Sequence, residues 1–423
     1  MSETNYDCYE NLQVEDSNEE CENDINPDDV RRFDDAVIWG TDWTSETIAT
    51  QLKKGTIDLY PTFQRRDAWT DVEKSKFIES LMLGLPVPPI ILAENKQKKN
   101  SYIVIDGKQR LLSIRRFYSD VSENKIKNEN LNPENVFKQL KLKGLDILNR
   151  FNGKTYESII NEEEDYINRL ENQPIRTIVI KNWPNESFLY TVFLRLNTGS
   201  KKLSPQELRQ ALHPGDFLTY LDDVTAKSII MQKVLNNKNA DSRMRDVELA
   251  LRYYSYKYFL ENYNGNLKNF LDNTCKSLNK RWEQDYLSIQ QQYTELESAI
   301  DFTMSIFGDK SPFSRYTMGK SNNRFSRAIY EIFTFYFSIP EIRNTICTES
   351  DKKELFDSFV SLNDDMQFNN AVNDTTKELN KVVCRFDKMA QMLLGLKCIS
   401  QKGIEIQHPV LKDGKIIIEN TNS

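Results

Sequence analysis

The hydrophobic pattern of the first half of the chain alternates between strand-like and helix-like spacing. Four short runs rich in β-branched residues are bounded by turn residues, and each is short enough to be one strand of a mixed sheet. These runs are Ile57–Tyr60, Ile90–Leu92, Tyr102–Ile105 and Ile175–Ile180. Helical spacing separates them, and two of the helices begin with capping boxes, at Thr70 and at Ser204. The pattern predicts an α+β domain.

A strand, a glycine turn and a helix follow one another directly at the third of these runs. The run ends in Asp-Gly-Lys-Gln-Arg, here named the Asp106–Arg110 motif, and helical spacing begins within it. A helix start carries unpaired N–H groups and partial positive charge, so it attracts phosphate. Three donor side chains beside one carboxylate therefore indicate a nucleotide site. An ordinary strand-to-helix turn with a solvated basic first turn fits the same spacing.

The second half of the chain shows helical spacing only. From Asp216 to about Leu394, apolar and aromatic residues recur at this spacing, for example at Leu249, Tyr253 and Tyr256. A row of this kind is more typical of a helical bundle core than of a stacking platform for a cofactor. The last 26 residues alternate weakly between apolar and polar positions, which is compatible with a small hairpin.

Charge is distributed unevenly along the 423 residues. The formal net charge is −7, but residues 1–30 hold eleven Asp and Glu and no Lys or Arg, so residues 31–423 carry +4. An acidic leader of this kind is typically solvated and disordered. A sharper hypothesis is that it competes with nucleic acid for the mildly basic body of the protein.

The cysteine spacing and the hydropathy indicate the cellular compartment of the protein. The six cysteines show no paired C-x-x-C spacing, which argues against a disulfide framework or a structural zinc site. No run of about eighteen apolar residues is present, and the acidic N-terminus does not have the form of a signal peptide. We therefore expect a cytoplasmic protein with free thiols, no membrane partner and no metal ligands.

Three clusters are more specific in their order along the chain than any one of them alone. Together they resemble the N-terminal domain of GmrSD-type, modification-dependent restriction enzymes, over about Trp43 to Phe217. The clusters are Phe63–Trp69 (FQRRDAW) with Gly84–Pro89 (GLPVPP), then the Asp106–Arg110 motif, then Phe193–Gly199 (FLRLNTG) with Leu203–Arg209 (LSPQELR).

The resemblance implies a ParB/sulfiredoxin-like fold and a nucleotide-dependent activity. Members of the family are associated with binding and hydrolysis of a nucleoside triphosphate, coupled to DNA restriction or phage defence. This implies ATP or GTP as the ligand, Mg²⁺ as an accompanying ion and DNA as a partner. The family motif usually reads Asp-Gly-Gln-Gln-Arg, whereas the third residue here is Lys108. Lysine contacts phosphate as a point charge, so a water-orienting role at this position is in doubt.

The site residues implied by the resemblance fall into two groups, which we expect to line one concave pocket. The candidates for catalysis are Asp106, Gln109 and Arg110. The candidates for nucleotide binding are Gln64, Arg65, Gly107, Lys108, Arg195 and Asn197, the last two on the far wall of the pocket.

The expected domain organisation has four parts. They are an acidic disordered tail (1–30), a ParB/sulfiredoxin-like nucleotide-binding domain (31–216), an all-α helical domain (217–395) and a C-terminal tail or small hairpin (396–423).

The family's restriction members often pair this domain with an HNH nuclease, but the two histidines, His213 and His408, form no HNH arrangement. We therefore expect an NTP hydrolase that acts with a partner nuclease or helicase. A non-enzymatic DNA-binding or regulatory subunit of a separate nuclease is the alternative. A free-standing nuclease acting through the same pocket ranks below both.

Overall fold

The structure is a computed structural model, and it describes residues 36–57, 59, 69–96, 98–119, 137–196, 204–373 and 375–420. The described residues fall into two compact units, 36–212 and 213–420. The first unit combines a small sheet with helices, and the second is mostly helical. The predicted α+β class, with a small mixed sheet followed by a helical part, is confirmed.

The first unit is built around a four-stranded mixed sheet with the strand order β1–β4–β2–β3. β1 pairs antiparallel with β4, β4 pairs parallel with β2, and β2 pairs antiparallel with β3. The register places Ile91 opposite both Asp106 and Ile178. The strands are β1 (Val37–Thr44), β2 (Ile90–Glu94), β3 (Tyr102–Asp106) and β4 (Pro174–Lys181).

Helices cover both faces of this sheet because the strand residues alternate in direction. Ile90, Leu92 and Val104 face one helical layer, whereas Ile91 and Ile105 face the other. The first layer contains α1 (Ser45–Lys53), α2 (Asp71–Met82), α3 (Lys108–Phe117), α4 (Tyr156–Glu162) and α5 (Glu164–Asn172), with a 3₁₀ turn at Asn149–Phe151. The second layer contains α6 (Glu186–Leu196) and α7 (Pro205–Leu212).

One strand of the sheet differs from the sequence-based prediction. Of the predicted strand Ile57–Tyr60, Ile57 forms an isolated parallel bridge to Tyr102 and Leu59 lies in no strand, while Asp58 and Tyr60 lie outside the described residues. The fourth strand is β1 instead. It was missed because it is an edge strand whose first three residues, Val37–Trp39, are all exposed, so it shows no alternation of buried and solvated positions.

The two predicted capping boxes are confirmed at the starts of α2 and α7. The Thr70 hydroxyl accepts the Glu73 N–H at 3.3 Å, while the Glu73 carboxylate accepts the Thr70 N–H at 2.7 Å. Ser204 and Glu207 make the equivalent pair of bonds, at 3.1 and 2.7 Å. Each box satisfies backbone donors that a helix start otherwise leaves open, which explains why both boundaries were readable locally.

The second unit packs its helices around one large apolar core. Two hairpins accompany them, the short β5 (Tyr316–Thr317) with β6 (Lys320–Ser321), and the C-terminal β7 (Gln407–Lys412) with β8 (Lys415–Asn420). The helices are α8 (Asp216–Lys227), α9 (Ile229–Val234), α10 (Arg245–Phe259), α11 (Leu267–Lys280), α12 (Trp282–Phe307), α13 (Arg327–Phe337), α14 (Pro340–Thr345), α15 (Glu349–Leu362), α16 (Met366–Asn373), α17 (Leu379–Gly395) and α18 (Lys397–Lys402), with a 3₁₀ turn at Leu260–Asn262. Among the described helices, none combines the length and apolar character needed to cross a bilayer.

A buried ionic triad connects three helices of this unit. Glu331 on α13 accepts hydrogen bonds from Arg252 on α10, at 2.7 Å, and from Arg385 on α17. All three side chains are only 2% exposed. Glu248 bonds the same Arg252 from one helical turn away at 2.9 Å. The charges are thus compensated inside the core, which is the condition under which such groups can be buried.

Candidate functional site

The glycine turn between β3 and α3 determines the shape of the site. Gly107 has φ +97° and ψ 13°, in the left-handed region that favours glycine. A Cβ at this position would lie 3.2 Å from the Arg110 guanidinium and 3.2 Å from Ile90. The glycine therefore allows the sharp turn and also lets the guanidinium lie directly against it.

Arg110 is held over this turn by two acceptors. Its Nη2 donates to Asp106 Oδ2 at 2.6 Å and to the Pro89 carbonyl at 3.0 Å. The Arg110 side chain is 13% exposed, whereas that of Asp106 is 45% exposed. The Arg110 Nε is buried and has no hydrogen-bond partner among the described residues. The guanidinium thus has a solvated counter-ion and an unused donor at the start of α3.

Lys108 has a different environment, although it lies two residues away. Its Nζ donates to Glu207 Oε1 at 2.8 Å, and both side chains are only 4% exposed. The other carboxylate oxygen of Glu207 accepts the Ser204 N–H at 2.7 Å. Glu207 is the site residue that the sequence-based prediction missed. Its position in a capping box was visible in the sequence, but its partner 99 residues away was not.

Gln109 connects the motif to the start of α2. Its Oε1 accepts the Trp69 N–H at 3.3 Å, and Lys74 donates to the Trp69 carbonyl. Trp69 is the first described residue after residues 60–68, so this contact brings the motif to the end of the FQRRDAW cluster. The predicted site residues Gln64 and Arg65 belong to that cluster and lie outside the described residues.

The far wall of the predicted pocket is described only in part. Arg195 lies in the last turn of α6, with its side chain exposed. α6 packs against β3, the strand that ends at Asp106. Asn197 lies outside the described residues. The placement of Arg195 and Asn197 around one pocket therefore stays a prediction.

Arg116, further along α3, has a structural role instead. Its guanidinium donates to Asp71 Oδ1 at 3.0 Å and to the Lys138 carbonyl at 2.9 Å. Burial by itself would raise the pKa of Asp71, but hydrogen bonds and charges from Lys143 and Arg116 outweigh it and lower that pKa. Arg116 thus ties α3 to the start of α2.

The arrangement at the end of β3 is suited to anion binding. The first-turn N–H groups of α3 have no partner within the helix, and Gly107 has no side chain to cap them. The Arg110 guanidinium of the same turn adds to the positive end of the helix dipole. Among the described residues, no group of three or more His, Cys, Asp or Glu could hold a metal ion.

The comparison with protein families agrees with the three sequence clusters. Residues 46–214 match the family model of the GmrSD restriction endonuclease N-terminal domain, a span that contains β2 to β4, the Asp106–Arg110 motif and Glu207. This part of the chain is thus similar to the N-terminal domain of a restriction endonuclease family. The comparisons with curated proteins and with solved structures found no match.

Proposed function

We propose that the first unit binds and hydrolyses a nucleoside triphosphate at the Asp106–Arg110 motif, as part of a DNA restriction or phage-defence system. The observation that supports this most directly is the arginine at the start of α3. Arg110 lies against the glycine turn with a half-exposed counter-ion, and its Nε has no partner in the described part of the chain. A guanidinium is a planar fork that matches two phosphate oxygens, and such charge-assisted bonds are about twice as strong as neutral ones.

Phosphate binding at this site is an exchange of anions. The Asp106 side chain is 45% exposed, so water can replace its bond to Arg110 and a phosphate can take its place at small cost. The incoming phosphate gains in addition the first-turn N–H groups of α3. The released Asp106 carboxylate and the Gln109 amide then lie beside the phosphate. We assign Asp106, Gln109 and Arg110 to hydrolysis on this basis, with ATP or GTP as substrate and Mg²⁺ as the accompanying ion.

DNA, and a partner nuclease or helicase, complete the proposal. The similarity of residues 46–214 to a restriction endonuclease N-terminal domain supports both. The ParB/sulfiredoxin-like fold and a cytoplasmic location belong to the same proposal. Phosphate contacts supply affinity for DNA without sequence information, so the mildly basic body of the chain suits this partner.

Replacing Arg110 by Ala tests the proposed site. The variant should lose about 10- to 100-fold in affinity for the nucleotide, because a hydrogen bond to a charged group contributes roughly 1.5–3 kcal/mol. The measurement is calorimetric titration of the full chain with ATP and with GTP in the presence of magnesium. Phosphate release measured at saturating nucleotide then reports hydrolysis separately from binding.

The matched control is Arg150→Ala. Arg150 forms an ion pair with Glu163 at 2.7 Å, and its side chain is 53% exposed. This variant removes the same side chain outside the motif and should bind nucleotide like the unchanged protein. Equal affinity in all three proteins would place the site elsewhere. If the unchanged protein binds no nucleotide even with DNA added, the regulatory-subunit alternative is favoured.

A further inference from the structure

The ion pair between Lys108 and Glu207 joins the two helical layers of the first unit. Lys108 is the first residue of α3, which packs on one face of the sheet, and Glu207 lies in α7, which packs on the other face. The pair bridges the layers at the end of β3, next to the Asp106–Arg110 motif.

We propose that Lys108 is a positioning residue of the nucleotide site and that Glu207, rather than phosphate, is its partner. The proposal rests on the proposed function and refines it. The lysine fixes the start of α3 against α7, and so fixes the direction in which Arg110 and the first-turn N–H groups point. A binding group must be held to within about 0.5 Å to act well, and such precision comes from neighbouring residues of this kind.

Burial decides between the two roles of Lys108. Its side chain and that of Glu207 are 4% exposed each, so a phosphate that took Lys108 would leave a buried carboxylate without a counter-charge. Breaking a buried pair in this way is strongly unfavourable, whereas exchange at the half-exposed Asp106 is not. Glu207 is also held by the Ser204 N–H, which further restricts its movement.

A double-mutant cycle tests the proposal. The variants are Lys108→Met, Glu207→Gln and the two combined. Glutamine still accepts the Ser204 N–H and so preserves the capping box. Each single variant breaks the buried ion pair and keeps one of its two charges, so its Tm should fall by roughly 5 °C or more. The combined variant has no unpaired charge, so its Tm should fall less than that of either single variant.

Nucleotide affinity gives the readout that a merely structural role would not change. It is measured by titration at 20 °C, after circular dichroism has been used to check that every variant is folded at this temperature. Both single variants should bind ATP or GTP several-fold more weakly, and the combined variant should bind more tightly than either. If the combined variant regains Tm but binds no better than Lys108→Met, Lys108 contacts phosphate directly and the proposal is wrong.

An exposed ion pair of the same length serves as the control. Lys76 Nζ lies 2.8 Å from Asp146 Oδ2, but the two side chains are 46% and 68% exposed. The cycle of Lys76→Met and Asp146→Asn should show no coupling in Tm. If the Tm loss of the combined Lys108 and Glu207 variant equals the sum of the two single losses, the proposal is overturned. Absence of nucleotide binding by the unchanged protein would overturn the proposed function, while the Tm cycle would still decide whether the pair joins the layers.

Discussion

Single residues decide how the two cations of the Asp106–Arg110 motif are presented. Arg110 has a counter-ion that is 45% exposed, and Lys108 has one that is 4% exposed. Residue type alone does not show which of the two cations contacts phosphate, since both side chains can bind it. The different solvent exposure of Asp106 and Glu207 separates the roles, because the cost of uncovering a carboxylate depends on whether water can reach it.

Gly107→Ala tests the turn that carries this arrangement. The substitution should cost about 1–2 kcal/mol from the positive φ, and more because the new Cβ would lie 3.2 Å from the Arg110 guanidinium. Nucleotide affinity should fall as well, since Arg110 is displaced. Urea unfolding and nucleotide titration measure the two effects.

Gly55→Ala is the control for this substitution. Gly55 also has a positive φ, +68°, but a Cβ there would meet no atom within 4 Å. It therefore reports the conformational cost alone. An equal loss of stability in both variants, with unchanged nucleotide binding, would show that Arg110 does not depend on the glycine.

At the scale of helices and strands, the sequence predicted the elements with local signals. The capping boxes at Thr70 and Ser204 fixed the starts of α2 and α7, because all the interacting atoms lie within four residues. β1 was not predicted, since an edge strand with exposed side chains has no periodic pattern. The pair of Lys108 and Glu207 was not predicted either. The two residues are 99 positions apart, and a contact at this separation produces no local pattern of polar and apolar residues. The Asp106–Arg110 motif was recognised in the sequence, but the carboxylates that pair with Lys108 and Arg110 were not predicted.

The packing of α2 depends on a second contact of this non-local kind. Glu79 is 5% exposed, and its carboxylate accepts the backbone N–H groups of residues 146–148 at 3.2, 2.9 and 2.6 Å. These backbone dipoles compensate the charge of the Glu79 carboxylate. The three bonds also attach residues 146–148, the segment before the 3₁₀ turn, to α2.

Glu79→Ala should lower the free energy of unfolding of the first unit by about 3 kcal/mol, because three backbone donors lose a charged acceptor. Chemical denaturation monitored by circular dichroism gives the value. Glu162→Ala is the control, since Glu162 forms an exposed ion pair with Lys154 and should cost less than about 1 kcal/mol. Similar losses in the two variants would contradict the structural role of Glu79.

At the scale of the whole molecule, the two units are held by different means. The first unit combines an apolar core on each sheet face with polar connections at the strand ends. The second has one large core with a compensated ionic triad inside it. A triad of this kind adds little net stability compared with apolar residues of equal size, but losing one member is costly.

Glu331→Gln should therefore destabilise the helical unit by about 3–5 kcal/mol, since it leaves the guanidinium groups of Arg252 and Arg385 without their shared counter-charge. Differential scanning calorimetry of the full chain measures the effect on the transition of this unit. Glu349→Gln is the control: its side chain is 92% exposed and pairs with Lys352. If Glu331→Gln and the control have equal Tm values, the triad does not stabilise the packing of the three helices.

The positions of the triad residues along the chain have a kinetic consequence. Glu331 is 79 residues from Arg252 and 54 residues from Arg385, so the triad closes only when three distant helices have docked. Contacts that form after the rate-limiting step of folding affect the unfolding rate and leave the folding rate almost unchanged. We therefore expect the triad to slow unfolding of the helical unit. Weakening it should raise the unfolding rate and leave the folding rate almost unchanged.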